Sequence, residues 1–314
     1  AYFILSRTLG SAIRLYLATF VLQLFLFEDL GIPYWGTALT TVALIWVYTF
    51  KGGIKTIVYT DTFQTFFLVS AVIICTITIA NALNVDFIGL FSKIKNTSSL
   101  KGDSMTKIFF FDDYKSNLFF PKQFLGGMFL AIAMTGLDQD LMQKNLTCKS
   151  LKDAQKNMYS FTTVLVFVNF LFLMLGGALY VFSAEKGIAL PELNGKIVTD
   201  YVFPTLALEN FGTIAGVFFL LGITASSYAS ADSALAALTT GFCIDFLNYN
   251  KRDALTQRKY RLLVHIGFSL LFLVIILLTR SYIVKHPESD IIGTILTIAG
   301  YTYGPLLGLF SFGI

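Results

Sequence analysis

The chain has 314 residues, of which 55% are apolar and 13% charged, with a formal net charge of +4. Soluble domains carry about a quarter charged residues, so a water-facing globular domain is excluded. The basic excess is scattered between apolar runs with no clustered basic face, which excludes a nucleic-acid binder.

Eight apolar segments follow one another, at 11–27, 35–50, 62–80, 124–137, 161–182, 211–238, 262–278 and 291–314. A membrane-crossing helix needs about 20 residues, with about 17 as the short limit, and most of the set qualifies once interfacial residues are added. The pattern predicts an all-α polytopic transmembrane bundle forming a single domain over 1–314, with no soluble domain. Between the second and third segments, Gly52-Gly53 before Ile54-Lys55 predicts a tight turn. The longest polar stretch, 84–123, includes Phe109, Phe110, Phe111, Phe119 and Phe120 and is expected to pack on the outer surface. The fourth segment is short, contains Gly126, Gly127 and Gly136, and runs into Asp138-Gln139-Asp140. A short, glycine-interrupted span points to a broken helix at a transporter's binding site; the alternative is a tilted or re-entrant helix with no such role.

Orientation follows from Lys and Arg. With the N-terminus inside, thirteen of the 23 fall on the inner side, Arg7 and Arg14 among them, and six of the outer ten lie in the loop 81–122. Short, dense basic loops therefore fall inside. The chain begins without a methionine and ends within an apolar run, which reads as part of a longer protein.

Two polar constellations stand out from the apolar background. The first, Tyr59-Thr60-Asp61-Thr62-Phe63-Gln64-Thr65, opens the third segment. Its Asp61 suits either the cap of a helix's first turn or a ligand. The second lies inside the sixth segment, from Thr224 to Ser233. Ser226, Ser230 and Ser233 are spaced four and three apart, so a helix aligns their hydroxyls in one stripe. Asp232 lies among them, where a carboxylate at a helix centre costs ~2.5–3.5 kcal/mol. Hydroxyls, carbonyls and one carboxylate suit a hard cation. The competing readings are small-residue helix packing for the serines and a protonated or lysine-paired structural acid for Asp232. An enzyme is not expected. His265 lies in an apolar segment and His286 in a loop, and no nucleophile–base pair, metal cluster or phosphate-binding glycine loop can be assembled. Cys75, Cys148 and Cys243 read as packing residues.

The run Lys51-Gly52-Gly53-Ile54-Lys55-Thr56-Ile57-Val58-Tyr59-Thr60-Asp61-Thr62-Phe63-Gln64-Thr65 resembles a signature of the sodium:solute symporter family, the relatives of sodium–glucose, sodium–proline and sialic acid symporters. Leu137-Asp138-Gln139-Asp140, with the Lys149-to-Lys156 run, resembles that family's stretch leaving its sixth core helix, and Ser226 to Asp245 its eighth. The resemblance covers nearly the whole chain. It implies a LeuT-like inverted repeat of five plus five helices, here core helices three to ten without the first two. It further implies a principal sodium site at the Ser226 carbonyl and a hydroxyl pair falling on Ala229 and Ser230; Ala229 departs from that pattern. A second sodium site would join Asp61 to Asp232 and Ser233. The family's sugar-coordinating positions fall near 296–300, apolar here apart from Thr297, which argues against a sugar. Asp138 and Gln139, near the broken helix, are candidates either for binding a polar solute or for capping that helix's inner end.

The expected function is sodium-coupled symport of a small polar solute by alternating access, with no cofactor and Na⁺, or alternatively H⁺, as coupling ion. The alternative is a non-transporting solute sensor on the same fold. The expected partners are the solute, sodium and lipid, and the expected location is a plasma membrane, the inner one of a bacterium. One sodium crossing ~100 mV down a tenfold gradient supplies ~3.7 kcal/mol, roughly 500-fold accumulation of a neutral solute.

Overall fold

The computed structural model describes residues 2–98, 102–137, 142, 145–193, 196–247, 252–286 and 291–313. Helices dominate. In order they are α1 (Tyr2–Leu22), prolonged by a π-helical turn at Gln23–Phe27, α2 (Tyr34–Ala82), α3 (Phe87–Asn96), α4 (Phe120–Gly136), α5 (Leu151–Lys186), α6 (Thr199–Glu209), α7 (Gly212–Asp245), α8 (Ala254–Lys285) and α9 (Ile291–Gly313). Among the described residues the strands are confined to a hairpin of β1 (Glu192–Leu193) and β2 (Lys196–Ile197), placed between α5 and α6. Five helical stretches are long and apolar enough to cross a membrane: Phe3–Phe27, Tyr59–Ala82, Leu151–Lys186, Gly212–Asp245 and Ala254–Lys285. On α5, Val166, Phe167 and Leu173 are exposed, an apolar outer surface that suits lipid and not water.

The helix ends follow local chemistry. Asp86 accepts from the Gly89 N–H at 2.8 Å and opens α3. Ser150 accepts from the Asp153 N–H at 3.2 Å and opens α5, while Asp253 takes the Thr256 N–H at 3.1 Å to open α8. Each satisfies one of the orphan donors of a first turn. Gly187, at φ +64°, closes α5 in a left-handed conformation that glycine adopts without strain. Between α1 and α2, the buried Gln23 side chain donates to the Ile32 carbonyl at 2.8 Å and accepts from the Thr37 hydroxyl.

Two compact units emerge. The first comprises Ala1–Leu68, Leu137–Lys144 and Leu220–Ile314. Its core joins Ala12, Leu15 and Tyr16 of α1 with Ala38 and Ile45 of α2, Ala231, Ala234, Leu235 and Leu238 of α7, and Phe272 and Ile276 of α8. On α9, the Thr302 hydroxyl lies 2.8 Å from that of Ser6 on α1. The second unit comprises Val69–Gly136 and Asn145–Phe219. There α3 lies on α5: Phe91 meets Phe170 with ring centroids 6.3 Å apart, and Lys93 pairs with Glu185 at 2.6 Å. Gly177 has no side chain because Ile94 fills that space; a Cβ there would stand 2.6 Å from Ile94 Cγ2.

One sequence expectation is corrected. No tight turn forms at Gly52-Gly53, because α2 runs unbroken from Tyr34 to Ala82. Each glycine costs a helix only about 1 kcal/mol relative to alanine, which does not by itself end one. Arg14, counted on the inner side, sits in α1 between the buried Ile13 and Leu15. The fourth segment does stop early. The helix ends at Gly136 and Leu137 lies in a bend. The stretch 84–123, expected on the outer surface, includes α3, which is seated on α5.

Candidate cation and solute site

The inner half of α7 is built almost wholly from alanine and serine between Thr224 and Ala237. Small side chains let neighbouring helices approach closely. The consequence is burial around the full circumference: Ala231, Asp232, Ser233, Ala234 and Leu235 are all buried, with Asp232 at 0% exposure and Ser233 at 3%. This carboxylate therefore lies at the centre of the first unit, enclosed by protein. Its Oδ1 accepts from the Ser233 backbone N–H. A buried carboxylate retains its charge only with compensating donors or a cation.

Ser226 and Ser230 are half-buried, and Ser227 between them is buried. Arg14 Nη1 of α1 lies 3.5 Å from Ser230 Oγ, placing a permanently charged guanidinium beside the hydroxyl stripe two residues before Asp232. One turn before Asp232, the Tyr228 side chain is hydrogen-bonded to Thr41 of α2. Two turns after it, Thr239 Oγ1 meets His265 Nδ1 of α8 at 3.1 Å.

Asp61 belongs to the same unit and lies within α2, well past its first turn at Tyr34. The capping reading for Asp61 is thereby removed. The residue is half-buried and its Oδ1 is shielded from solvent. Thr297 on α9 is exposed, and its hydroxyl donates to the Gly293 carbonyl at 2.8 Å. Asp138 and Gln139 lie outside the described residues. The structure brings Ser226, Ser230, Asp232 and Ser233 onto one helix and adds Arg14, which the sequence reading had assigned to the inner flank. The missed signal was visible: a charged residue within the apolar segment 11–27.

A buried acid, a half-buried guanidinium and a hydroxyl stripe among helices of membrane-crossing length define a polytopic membrane protein by class. A solved Na⁺-coupled sialic acid symporter, captured substrate-bound and outward-open, has a similar fold, with a TM-score of 0.74 at 18% identity over 98% of this chain and 62% of that one. The sequence profile of the sodium:solute symporter family matches residues 8–314, and the chain belongs to that family. Among relatives, it is 24% identical over 272 residues to the sodium/sialic acid symporter NanT of Aliivibrio fischeri, covering 85% of this chain and 51% of that protein. It is 26% identical over 288 residues to human sodium-coupled monocarboxylate transporter 2, with coverages of 90% and 44%. To the human sodium/iodide cotransporter it is 24% identical over 315 residues, with coverages of 99% and 46%. The chain thus spans about half the length of these relatives.

Proposed function

We propose that the protein carries out sodium-coupled symport of a small anionic solute by alternating access across a cell membrane, the inner membrane of a bacterium. The observation that carries this reading is Asp232, a fully buried carboxylate in a membrane helix that also carries Ser226, Ser230 and Ser233. Such an arrangement matches the needs of a desolvated sodium ion, which takes oxygen ligands and repays part of the carboxylate's burial. Ser226 supplies a carbonyl on the same helix, and Asp61 a second carboxylate from α2. Ala229 leaves the principal site short of one hydroxyl, which shifts weight to the carboxylate-rich pair of Asp61 and Asp232.

The anionic solute is favoured by Arg14, a guanidinium held inside the first unit beside Ser230. The relatives' names point the same way, since a sialic acid, a monocarboxylate and iodide are all anions at neutral pH. A guanidinium fork recognises a carboxylate by two parallel hydrogen bonds. Asp138 and Gln139 are retained as solute contacts at the end of α4. Thr297 contributes less, its hydroxyl being committed to its own helix.

The test is uptake of labelled sialic acid, pyruvate and iodide by the full-length protein in proteoliposomes under an imposed sodium gradient. Accumulation of at least one anion, abolished when potassium replaces sodium, is the expected result. Uptake driven by a proton gradient and indifferent to sodium assigns the coupling to H⁺. Uptake of none, in vesicles that hold correctly folded protein, removes the symporter reading.

A further inference from the structure

A second group of polar side chains lies apart from the α7 stripe, where α1, α2 and α8 meet in the first unit. Tyr34, the first residue of α2, is only 7% exposed, and its hydroxyl is shielded from solvent without a hydrogen-bond partner among the described residues. A buried hydroxyl left in that state costs about 1–3 kcal/mol, so a native protein rarely keeps one without use. Arg280, in the penultimate turn of α8, places its guanidinium 4.1 Å from the centroid of the same ring. It is half-buried, and among the described residues no carboxylate pairs with it. The Tyr16 ring of α1 packs against Tyr34 with centroids 6.2 Å apart and fixes the ring's position.

The two polar groups that meet here, the Arg280 guanidinium and the Tyr34 phenol, are both donors. The guanidinium offers up to five N–H groups and no acceptor, and the phenol offers one O–H. The stacking on Tyr34 engages the face of the guanidinium and leaves its edge available for in-plane bonds. A cluster of donors with one fixed positive charge fits an acceptor ligand carrying negative charge, and a planar carboxylate satisfies fork and phenol together.

We propose that Tyr34 and Arg280 form a second anion subsite, distinct from Arg14, which takes a carboxylate on its way to or from the central site. The identity of the ligand as the transported anion rests on the symport reading given above; the binding chemistry does not. Tyr34→Phe removes only the hydroxyl and keeps the ring on which Arg280 stacks. Because that hydroxyl has no partner among the described residues, its deletion leaves the fold as stable or more so. A purely structural role therefore predicts no loss in Tyr34→Phe.

Two measurements on the full-length protein test the proposal. The first is thermal unfolding of detergent-solubilised protein in sodium-free buffer with pyruvate, sialic acid or iodide added. Wild type gains thermal stability with at least one carboxylate, as binding to the folded state requires, and Tyr34→Phe and Arg280→Gln each lose most of that gain. The second is the concentration dependence of uptake. The half-saturating anion concentration rises about threefold to tenfold in Tyr34→Phe (an order consistent with one lost hydrogen bond to a charged group), while the half-saturating sodium concentration stays put. In Arg280→Gln it rises further, and the double variant is no worse than Arg280→Gln alone. If neither carboxylate stabilises wild type, or if Tyr34→Phe matches wild type in both assays, the subsite does not exist. If the carboxylate gain is present and sensitive to Tyr34 but no anion is transported, the subsite stands and the symporter reading falls.

Discussion

Asp232, fully buried, and Arg14, half-buried within α1, are the two charges hardest to explain without function. Each would cost a membrane helix ~2.5–3.5 kcal/mol if exposed to hydrocarbon at its centre, and each instead sits inside a packed unit. Asp232→Asn preserves shape and removes the charge. The expected result in sodium-driven uptake is a higher half-saturating sodium concentration and a Hill coefficient falling towards one; unchanged values for both would show that Asp232 is no cation ligand. Arg14→Lys keeps a charge but not the fork, so the half-saturating anion concentration should rise roughly tenfold or more, of the order of 1.4 kcal/mol. Asp253 shows charge in a structural role. The Thr256 hydrogen bonds hold its carboxyl below the ordinary carboxylate range. A lowered folded-state value stabilises above the unfolded pKa of about 3.9, and the contribution fades as pH falls through the folded value. Asp253→Asn retains a cap, and it should flatten the acid side of the protein's melting-temperature profile below about pH 4.

Among the elements, α3 on α5 is the clearest case of packing decided by a single missing side chain. A Cβ at Gly177 would collide with Ile94 Cγ2 at 2.6 Å, whereas at Gly176 it would meet nothing within 4 Å. Gly177→Ala should therefore destabilise the second unit by about 1–3 kcal/mol through overpacking. Gly176→Ala should be neutral or gain up to about 1 kcal/mol from helix propensity. Melting temperatures of the two variants in the same detergent check the contrast, and equal losses would refute the contact. The helix α2 poses a different question. With 49 residues it is about 74 Å long if straight, against a hydrocarbon core of about 30 Å. Its apolar stretches Tyr34–Val47 and Tyr59–Ala82 cannot both lie in one bilayer along a straight axis.

At the scale of the whole molecule, that length decides topology. An unbroken α2 crosses once and puts the loop after it inside; a reversal between the two stretches puts that loop outside, as the basic-residue count predicts. Ser98→Cys should then label with an impermeant thiol reagent in intact cells, and Leu255→Cys should not. Labelling of Leu255→Cys alone means that α2 crosses once. The energetics of coupling also belong to this scale. A monovalent anion carried with one sodium moves no net charge, so a tenfold sodium gradient concentrates it only about tenfold. With two sodium ions the membrane potential contributes as well, and at ~100 mV the ratio rises to roughly 5,000-fold. Accumulation measured against a known potential therefore reports the stoichiometry, and Asp232→Asn should reduce it towards the lower figure.

The membrane class, the helical architecture and the family were legible in the chain alone, because hydrophobic length and residue order within motifs are one-dimensional properties. So were the stripe of Ser226, Ser230 and Ser233 and the misplaced charge of Asp232, which follow from helical periodicity and the cost of a carboxylate in an apolar run. The early stop of α4 at Gly136 was likewise visible in its glycines and short length. Three matters were decided only by the tertiary structure. Asp61 could be a cap or a ligand until α2 was seen to begin at Tyr34, since capping depends on where the preceding turn ends. Arg14 counted only towards the inner-side charge until α1 placed it beside Ser230, a contact across 216 residues of sequence that no local pattern encodes. Tyr34 and Arg280, 246 positions apart by number, carry no motif at all. Their pairing arises because α2 and α8 share a core, and burial of a hydroxyl without a partner is a property of the packed interior and not of either residue.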